Sequence, residues 1–149
     1  MQWQRPLPTA GDSDAISQTA IQTMSEELCS AAREACLVAG QILRSRRDQR
    51  LEVWSKGIGS DAADVCTQAD IEAQKAIFEC LSWTIERYDL GWLAEEGEAD
   101  GSRLHKHAFW VVDPMDGTRF YVDGESGYAV SVALVSQAGE VLLGAVYDP

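Results

Sequence analysis

Apolar residues recur every three or four positions in two segments of the chain, and this spacing predicts two long amphipathic helices. The first covers about residues 26–47, and its apolar stripe consists of Leu28, Ala32, Ala35, Ala39 and Ile42. The second covers about residues 69–87, with a stripe of Ala73, Ile77, Cys80, Leu81 and Ile85. Residues 1–22 contain Pro6 and Pro8 and few large apolar side chains, so we expect a disordered leader there.

The second half of the chain shows short apolar runs bounded by turn residues, which is typical of strands. Such runs occupy residues 90–94 and 109–112, with a shorter candidate at 51–54. Residues 128–135 alternate in polarity, and residues 141–147 follow a turn, which predicts an antiparallel hairpin. Two helices followed by several strands indicate an α+β fold, in which two long helices pack on an antiparallel sheet.

Polar residues at the helix ends have simple structural explanations. Thr67 and Asp70 stand where the second helix begins, and capping oxygens belong at that position. From spacing alone, a helix-start carboxylate explains Asp70 better than a catalytic role does. Arg44, Arg46 and Arg47 close the first helix, where cations suit the helix dipole. A solvated helix end is favoured there over an anion site.

Two of the predicted strands end in acidic residues. Glu95 follows the run at 90–94, while Asp113 and Asp116 follow the run at 109–112 with Pro114 between them. Because Pro114 cannot donate to a sheet ladder, we expect the chain to turn there. If the two strands are neighbours, the three carboxylates converge. With a backbone carbonyl they form an oxygen-only site that suits Mg²⁺ rather than zinc. A solvated acidic rim is the alternative.

The segments around these acids offer further candidates. Gly117 and Thr118 could open a helix turn whose free N–H groups suit a phosphate. Lys56 lies in a glycine-rich loop that could approach a phosphate, although the loop lacks P-loop spacing. An EF-hand is excluded, because the third and fifth positions counted from Asp113 are Met115 and Gly117 rather than acids.

Composition narrows the class of protein. The net charge of −12 argues against a nucleic-acid polymer or a membrane surface as partner, because both are anionic. A small phosphorylated substrate remains compatible, because a bound cation can reverse the local sign. The sequence contains four cysteines but no C-x-x-C pair, and it contains only two histidines. These residues argue against a zinc site and favour free thiols in a reducing compartment. With neither a signal-like apolar segment nor a membrane-length run, we expect a cytoplasmic protein.

Three motifs together resemble one family. Residues 112–118 (VDPMDGT) resemble the D-P-[IL]-D-G-T signature of the inositol monophosphatase superfamily. Residues 94–96 (AEE) resemble its [GS]-E-E motif, and residues 64–70 (DVCTQAD) resemble its D-x-V-T-x-x-D motif. The three occur in the family's order and at similar separations, within a resemblance that covers about residues 26–149. Their coincidence is more specific than any single motif.

The resemblance implies a Mg²⁺-dependent hydrolysis of a small phosphate monoester, of the inositol monophosphate type, by a metal-activated water. It also implies the N-terminal half of a layered α/β/α/β sugar-phosphatase fold, with residues 23–149 as the metal-binding domain, since family members run about twice as far. Two alternatives stay open: a 3′(2′),5′-bisphosphate nucleotidase acting on adenosine 3′,5′-bisphosphate, and a truncated, catalytically inactive metal-binding module. An apolar sheet face left open would favour association, for example as a homodimer.

The resemblance also assigns roles to individual residues. The ligands of a first Mg²⁺ are Glu95, Asp113 and the Met115 carbonyl, and those facing a second are Asp113 and Asp116. The residues that orient the attacking water are Asp70 and Thr118. The backbone N–H groups offered to the phosphate belong to Gly117 and Thr118. Supporting roles fall to Glu96 and to Lys56, which lies in a mobile loop that can reach the site in the family.

Overall fold

The computed structural model describes residues 10–47, 49, 53–55, 65–97 and 99–149. The helices in these ranges are α1 (Ala10–Arg46), α2 (Gln68–Tyr88) and α3 (Thr118–Val122), with a 3₁₀ turn at Ser102–Leu104. The strands are β1 (Val53–Ser55), β2 (Val65–Thr67), β3 (Gly91–Ala94), β4 (Ala108–Asp116), β5 (Ala129–Ser136) and β6 (Val141–Tyr147). None of the helices found there is both long and apolar enough to cross a bilayer.

Four of the strands form one sheet in the order β3-β4-β5-β6, and β1 pairs with β2 separately. The expected antiparallel sheet is in fact mixed: β3 runs parallel to β4, whereas the other neighbours are antiparallel. Parallel neighbours need a long crossover, because the chain must return to the starting end of the sheet. Residues 95–107, which contain the 3₁₀ turn, supply that crossover.

The two long helices pack on each other and on one face of this sheet. Helix α1 contacts α2, β5 and β6, and α2 also contacts β4. Both predicted apolar stripes are confirmed, with Leu43 buried in place of Ile42 on α1 and with Cys80 and Ile85 only partly buried on α2. The α+β class is therefore confirmed, and its core lies between the helix pair and the sheet.

Helix α1 begins much earlier than the sequence pattern predicted. It starts at Ala10 rather than near Glu26, so residues 10–22 are helical where a disordered leader was expected. Residues 1–9 of that leader lie outside the described ranges. The segment after Pro8 contains no further proline before the helix ends. Extending a helix that packing has already nucleated costs far less than starting one.

The arginines at the end of α1 do more than occupy a solvated helix end, because each joins α1 to another element. The pairs are Arg44 with the Tyr147 hydroxyl at 2.7 Å, Arg46 with Glu72 at 2.8 and 2.9 Å, and Arg47 with the Gly124 and Glu125 carbonyls at 2.8 and 2.9 Å. The last contact holds the loop between α3 and β5.

The hairpin of β5 and β6 leaves one face of the sheet open. Val130, Val132 and Leu134 are buried under the helices, as the alternation predicted. Ser131 and Ala133, on the opposite face of β5, are only half-buried. The open face carries the concave surface described below.

Candidate active site

Asp70 is a buried capping residue at the start of α2. Thr67 is extended and receives N–H bonds from Ala69 and Asp70 on its hydroxyl oxygen. In return, the Asp70 carboxylate accepts from the Thr67 N–H at 2.8 Å and from its hydroxyl at 2.6 Å. This reciprocal capping box fixes the carboxylate while leaving its other oxygen, Oδ1, for a further partner. Asp70 therefore caps the helix as expected, but the cap uses only one of its two carboxylate oxygens, Oδ2.

Thr118 connects Asp70 to the acidic end of β4. Its hydroxyl oxygen lies 3.0 Å from Asp70 Oδ1 and 3.0 Å from the Met115 carbonyl oxygen. Burial raises the pKa of the Asp70 carboxyl, the hydrogen bonds from Thr67 and Thr118 oppose this rise, and the charge of Glu96 adds to it. The structure thus brings together the two residues expected to orient the attacking water, in a position almost closed to solvent.

Glu95 and Asp113 are side by side because their strands run in parallel. Ala94 pairs with Val112, and the Glu95 N–H continues the ladder to the Val112 carbonyl at 3.0 Å. Burial is the main cause that raises the pKa of the Asp113 carboxyl, a hydrogen bond with Glu95 and the charges of Glu95 and Asp116 add to the rise, and the Met115 N–H opposes it, so that the pKa reaches about 7. Two carboxyl groups that share a hydrogen bond must hold a proton between them, or else a cation.

Strand β4 does not turn at Pro114 as expected but continues through a β-bulge to Asp116. Asp113 pairs with Ser131 and Asp116 with Ala129, so three steps along β4 match two along β5. Proline is tolerated at a bulge because the ladder is interrupted there. The Asp113 carboxylate caps the bulge by accepting the Met115 N–H at 3.0 Å.

Gly117 makes a close approach that no other residue could make. Its φ is +85°, and an added Cβ would lie 2.4 Å from the Gly127 carbonyl oxygen. It caps α3, the short helix turn expected to open at Thr118. The turn is therefore confirmed, while its contact with a phosphate stays a prediction.

Glu96 is buried, and its backbone is held by a residue that sequence reasoning missed. Gln74 on α2 donates from Nε2 to the Glu96 carbonyl at 2.6 Å and accepts the Glu96 N–H on Oε1 at 2.9 Å. The only signal in the sequence is that Gln74 stands four positions after Asp70, on the same helix face.

The predicted convergence of Glu95, Asp113 and Asp116 is only partly seen. Among the residues that the structure describes, no three acidic, histidine or cysteine side chains are arranged so that they alone could hold one metal ion. Glu95 and Asp113 meet, and Asp116 acts on Asp113 through its charge. A cation there would depend on carbonyl oxygen as well. Lys56 lies outside the described residues.

A concave surface adjoins the acidic pair on the open face of the sheet. Its volume is about 390 Å³, and it is lined by Leu93, Ala94, Glu95, Val111, Val112, Asp113, Ser131 and Ala133. The surface is apolar along the strands and acidic at one end. A small polar group would therefore be held at the acidic end only.

Comparisons with known proteins agree with this geometry. A family model described as the inositol monophosphatase family matches residues 24–149. An inositol-1-monophosphatase of Mesorhizobium japonicum is 38% identical over 120 residues, which cover 78% of this chain and 41% of that protein. The 3′(2′),5′-bisphosphate nucleotidase CysQ of Salmonella typhimurium is 34% identical over 127 residues, covering 85% and 48%.

A solved structure also matches. The extragenic suppressor protein SuhB from Bartonella henselae superposes with a TM-score of 0.71 at 34% identity, covering 82% of this chain and 45% of that one. The chain thus spans less than half the length of these relatives. Because the family model covers nearly all of the described residues that form the sheet, the helix pair and the acidic corner, this chain belongs to the inositol monophosphatase family.

Proposed function

We propose that the protein is a metal-dependent phosphatase that hydrolyses a small phosphate monoester, of the inositol monophosphate type. The family's members are metal-dependent phosphatases. The observation that carries the proposal is a continuous set of contacts joining the three motifs, from Asp70 through Thr118, Met115 and Asp113 to Glu95.

The donor set fits a hard divalent cation, for which we propose Mg²⁺. Every available donor is oxygen, which Mg²⁺ prefers over nitrogen and sulfur. Glu95, Asp113 and the Met115 carbonyl would hold one ion, and Asp113 and Asp116 would face a second. The raised pKa of Asp113 supports this fit, because crowded carboxylates favour either a proton or a cation. When bound, such a cation neutralises phosphate charge and lowers the pKa of a nearby water.

The remaining residues would position the reactants. Asp70 and Thr118 would orient the attacking water, since their oxygen atoms are fixed 3.0 Å apart in a buried corner. The Gly117 and Thr118 N–H groups would bind phosphate oxygens at the start of α3. We assign supporting roles to Glu96 and Lys56. Fixed geometry matters here, because phosphoryl transfer relies on positioning and charge more than on covalent chemistry.

A second candidate is a 3′(2′),5′-bisphosphate nucleotidase acting on adenosine 3′,5′-bisphosphate. It is favoured by the CysQ relatives, which match a larger share of this chain than the Mesorhizobium protein does. The free thiols at Cys29, Cys36 and Cys80 support a reducing compartment, and we propose the cytoplasm. The homodimer expected from the open sheet face stays a prediction.

The test is phosphate release from inositol 1-phosphate and from adenosine 3′,5′-bisphosphate, with and without Mg²⁺. It is run on this chain and on the product of the complete reading frame that contains it. We expect Mg²⁺-dependent release from one of the two substrates. Asp113→Asn should abolish release, while Asp148→Asn, at an exposed position, should not.

The outcomes separate the candidates. Preference for one substrate chooses between the two enzymatic functions. Mg²⁺ binding without release from either substrate, by the complete product, would leave the inactive metal-binding module. Release that survives Asp113→Asn would remove Asp113 from the metal site.

A further inference from the structure

We propose that Gln74 is a positioning residue, which holds the Glu95–Glu96 turn so that Glu95 reaches the same cation as Asp113. This inference rests on the metal site of the proposed function. Gln74 would touch neither cation nor substrate, and would act only through the backbone that carries Glu95.

Gln74 binds the Glu96 backbone as a neighbouring strand would. Its side-chain amide both donates to the Glu96 carbonyl at 2.6 Å and accepts from the Glu96 N–H at 2.9 Å. A primary amide offers a donor and an acceptor on one planar group, so a single side chain can satisfy both polar groups of one residue. These bonds span 22 positions of sequence, from α2 to the end of β3.

The sheet holds this turn from one side. Strand β3 ends at Ala94, and the Glu95 N–H after it bonds to the Val112 carbonyl of β4. The next residue along the chain is Glu96, whose backbone Gln74 holds. The backbone of Glu95 is therefore held on one side by β4 and on the other by α2, although its own side chain is exposed.

The same helix face holds the other half of the site. Asp70 stands one helical turn before Gln74, and its carboxylate binds the Thr118 hydroxyl. One rigid turn of α2 therefore sets the separation between the Thr118 corner and the Glu95 turn. Partners that orient metal ligands from outside typically change metal affinity 10- to 100-fold when they are removed.

The experiment compares Gln74→Met, which keeps the length of the side chain but removes both hydrogen bonds, with Gln68→Met. Gln68 is an exposed glutamine on the same helix and serves as the matched control. Gln74→Asn is a milder variant, because it keeps the amide but shortens its reach. Circular dichroism checks that each variant folds. Mn²⁺ affinity is measured by electron paramagnetic resonance, and amide hydrogen exchange at Glu95 and Glu96 by NMR.

We expect Gln74→Met to speed exchange at the Glu96 amide and to weaken Mn²⁺ binding about tenfold, with Gln74→Asn intermediate and Gln68→Met unchanged. Faster exchange at Glu96 with unchanged Mn²⁺ affinity would overturn the inference, because Gln74 would then only stabilise the turn. If Asp113→Asn nevertheless weakens Mn²⁺ binding in the same assay, the proposed cation site still stands and only the role of Gln74 is refuted. Absence of Mn²⁺ binding by the unsubstituted chain would overturn both.

Discussion

Replacing Asp113 by asparagine should stabilise the cation-free protein, even though it should damage the metal site. The Asp113 carboxyl is half-buried beside Glu95, and its pKa is raised from 3.8 to about 7 by burial, by its hydrogen bond with Glu95 and by the charges of Glu95 and Asp116. Asparagine has nearly the same shape, can still accept the Met115 N–H, and can donate to Glu95. The substitution therefore removes a repulsive charge and keeps the local hydrogen bonds.

The magnitude follows from proton linkage. A pKa raised from 3.8 to about 7 corresponds to about 4 kcal/mol, at about 1.4 kcal/mol for each tenfold change in proton affinity. Solvent screening at a half-buried site reduces this, and we expect about 1–2 kcal/mol. Between about pH 4 and pH 7, the Asp113 carboxyl holds a proton in the folded chain that it has released in the unfolded chain. The free energy of unfolding therefore falls as pH rises from about 4 to about 7.

The assay is thermal or urea unfolding at pH 5 and pH 8 in the presence of a chelator. The advantage of Asp113→Asn over the unsubstituted chain should be larger at pH 8 than at pH 5 by about 1–2 kcal/mol. For a chain of this size, that corresponds to roughly 2–8 °C in melting temperature. Asp148→Asn, at an exposed position, should show no such pH-dependent advantage.

Adding Mg²⁺ should reverse the order of stability. A cation that binds only the folded state at a hundred times its dissociation constant contributes about 2.7 kcal/mol. The unsubstituted chain should gain that stability, and Asp113→Asn should gain much less. If the two proteins respond identically to pH and to Mg²⁺, then Asp113 is neither crowded by its neighbours nor part of a cation site.

Two further substitutions test the corner that joins α3 to α2. Thr118→Val removes the hydroxyl that contacts Asp70 and the Met115 carbonyl. It should lower the free energy of unfolding in urea by about 1–3 kcal/mol. Thr118→Ser keeps a hydroxyl and should restore most of this stability, so equal losses in both variants would show that the hydroxyl is unimportant. Gly117→Ala should lower the melting temperature more than Gly124→Ala. Both glycines have positive φ, which costs roughly 1–2 kcal/mol for alanine, but only at Gly117 would the Cβ meet a carbonyl oxygen. Equal melting temperatures would refute that close approach.

Much of α2 could be predicted from the sequence, because its determinants are local. Successive residues of its apolar stripe are at most four positions apart, and the two residues of its Thr67–Asp70 cap are three positions apart. The same holds for the alternation along β5. For α1 the stripe was predicted but the start was not, since residues 10–22 carry no strong helix signal of their own and extend a helix that packing stabilises further along.

The acidic strand ends were visible in the sequence, but their arrangement was not. Pro114 indicated an interruption, and only the pairing of β4 with β5 decided that the interruption is a bulge rather than a turn. The contact of Glu95 with Asp113 depends on β3 lying parallel to β4, which the expected antiparallel sheet did not include.

The sequence by itself thus determined the helices' apolar faces, the hairpin, the helix cap at Asp70 and the family. The family resemblance implied that Asp70 and Thr118 act together, but only the tertiary structure shows the bond between them, across 48 positions, and only it shows that Gln74 holds Glu96, 22 positions away. The reason is physical. Periodicity and capping depend on neighbours along the chain, whereas these side-chain bonds exist only once the helices have packed on the sheet and brought distant turns together.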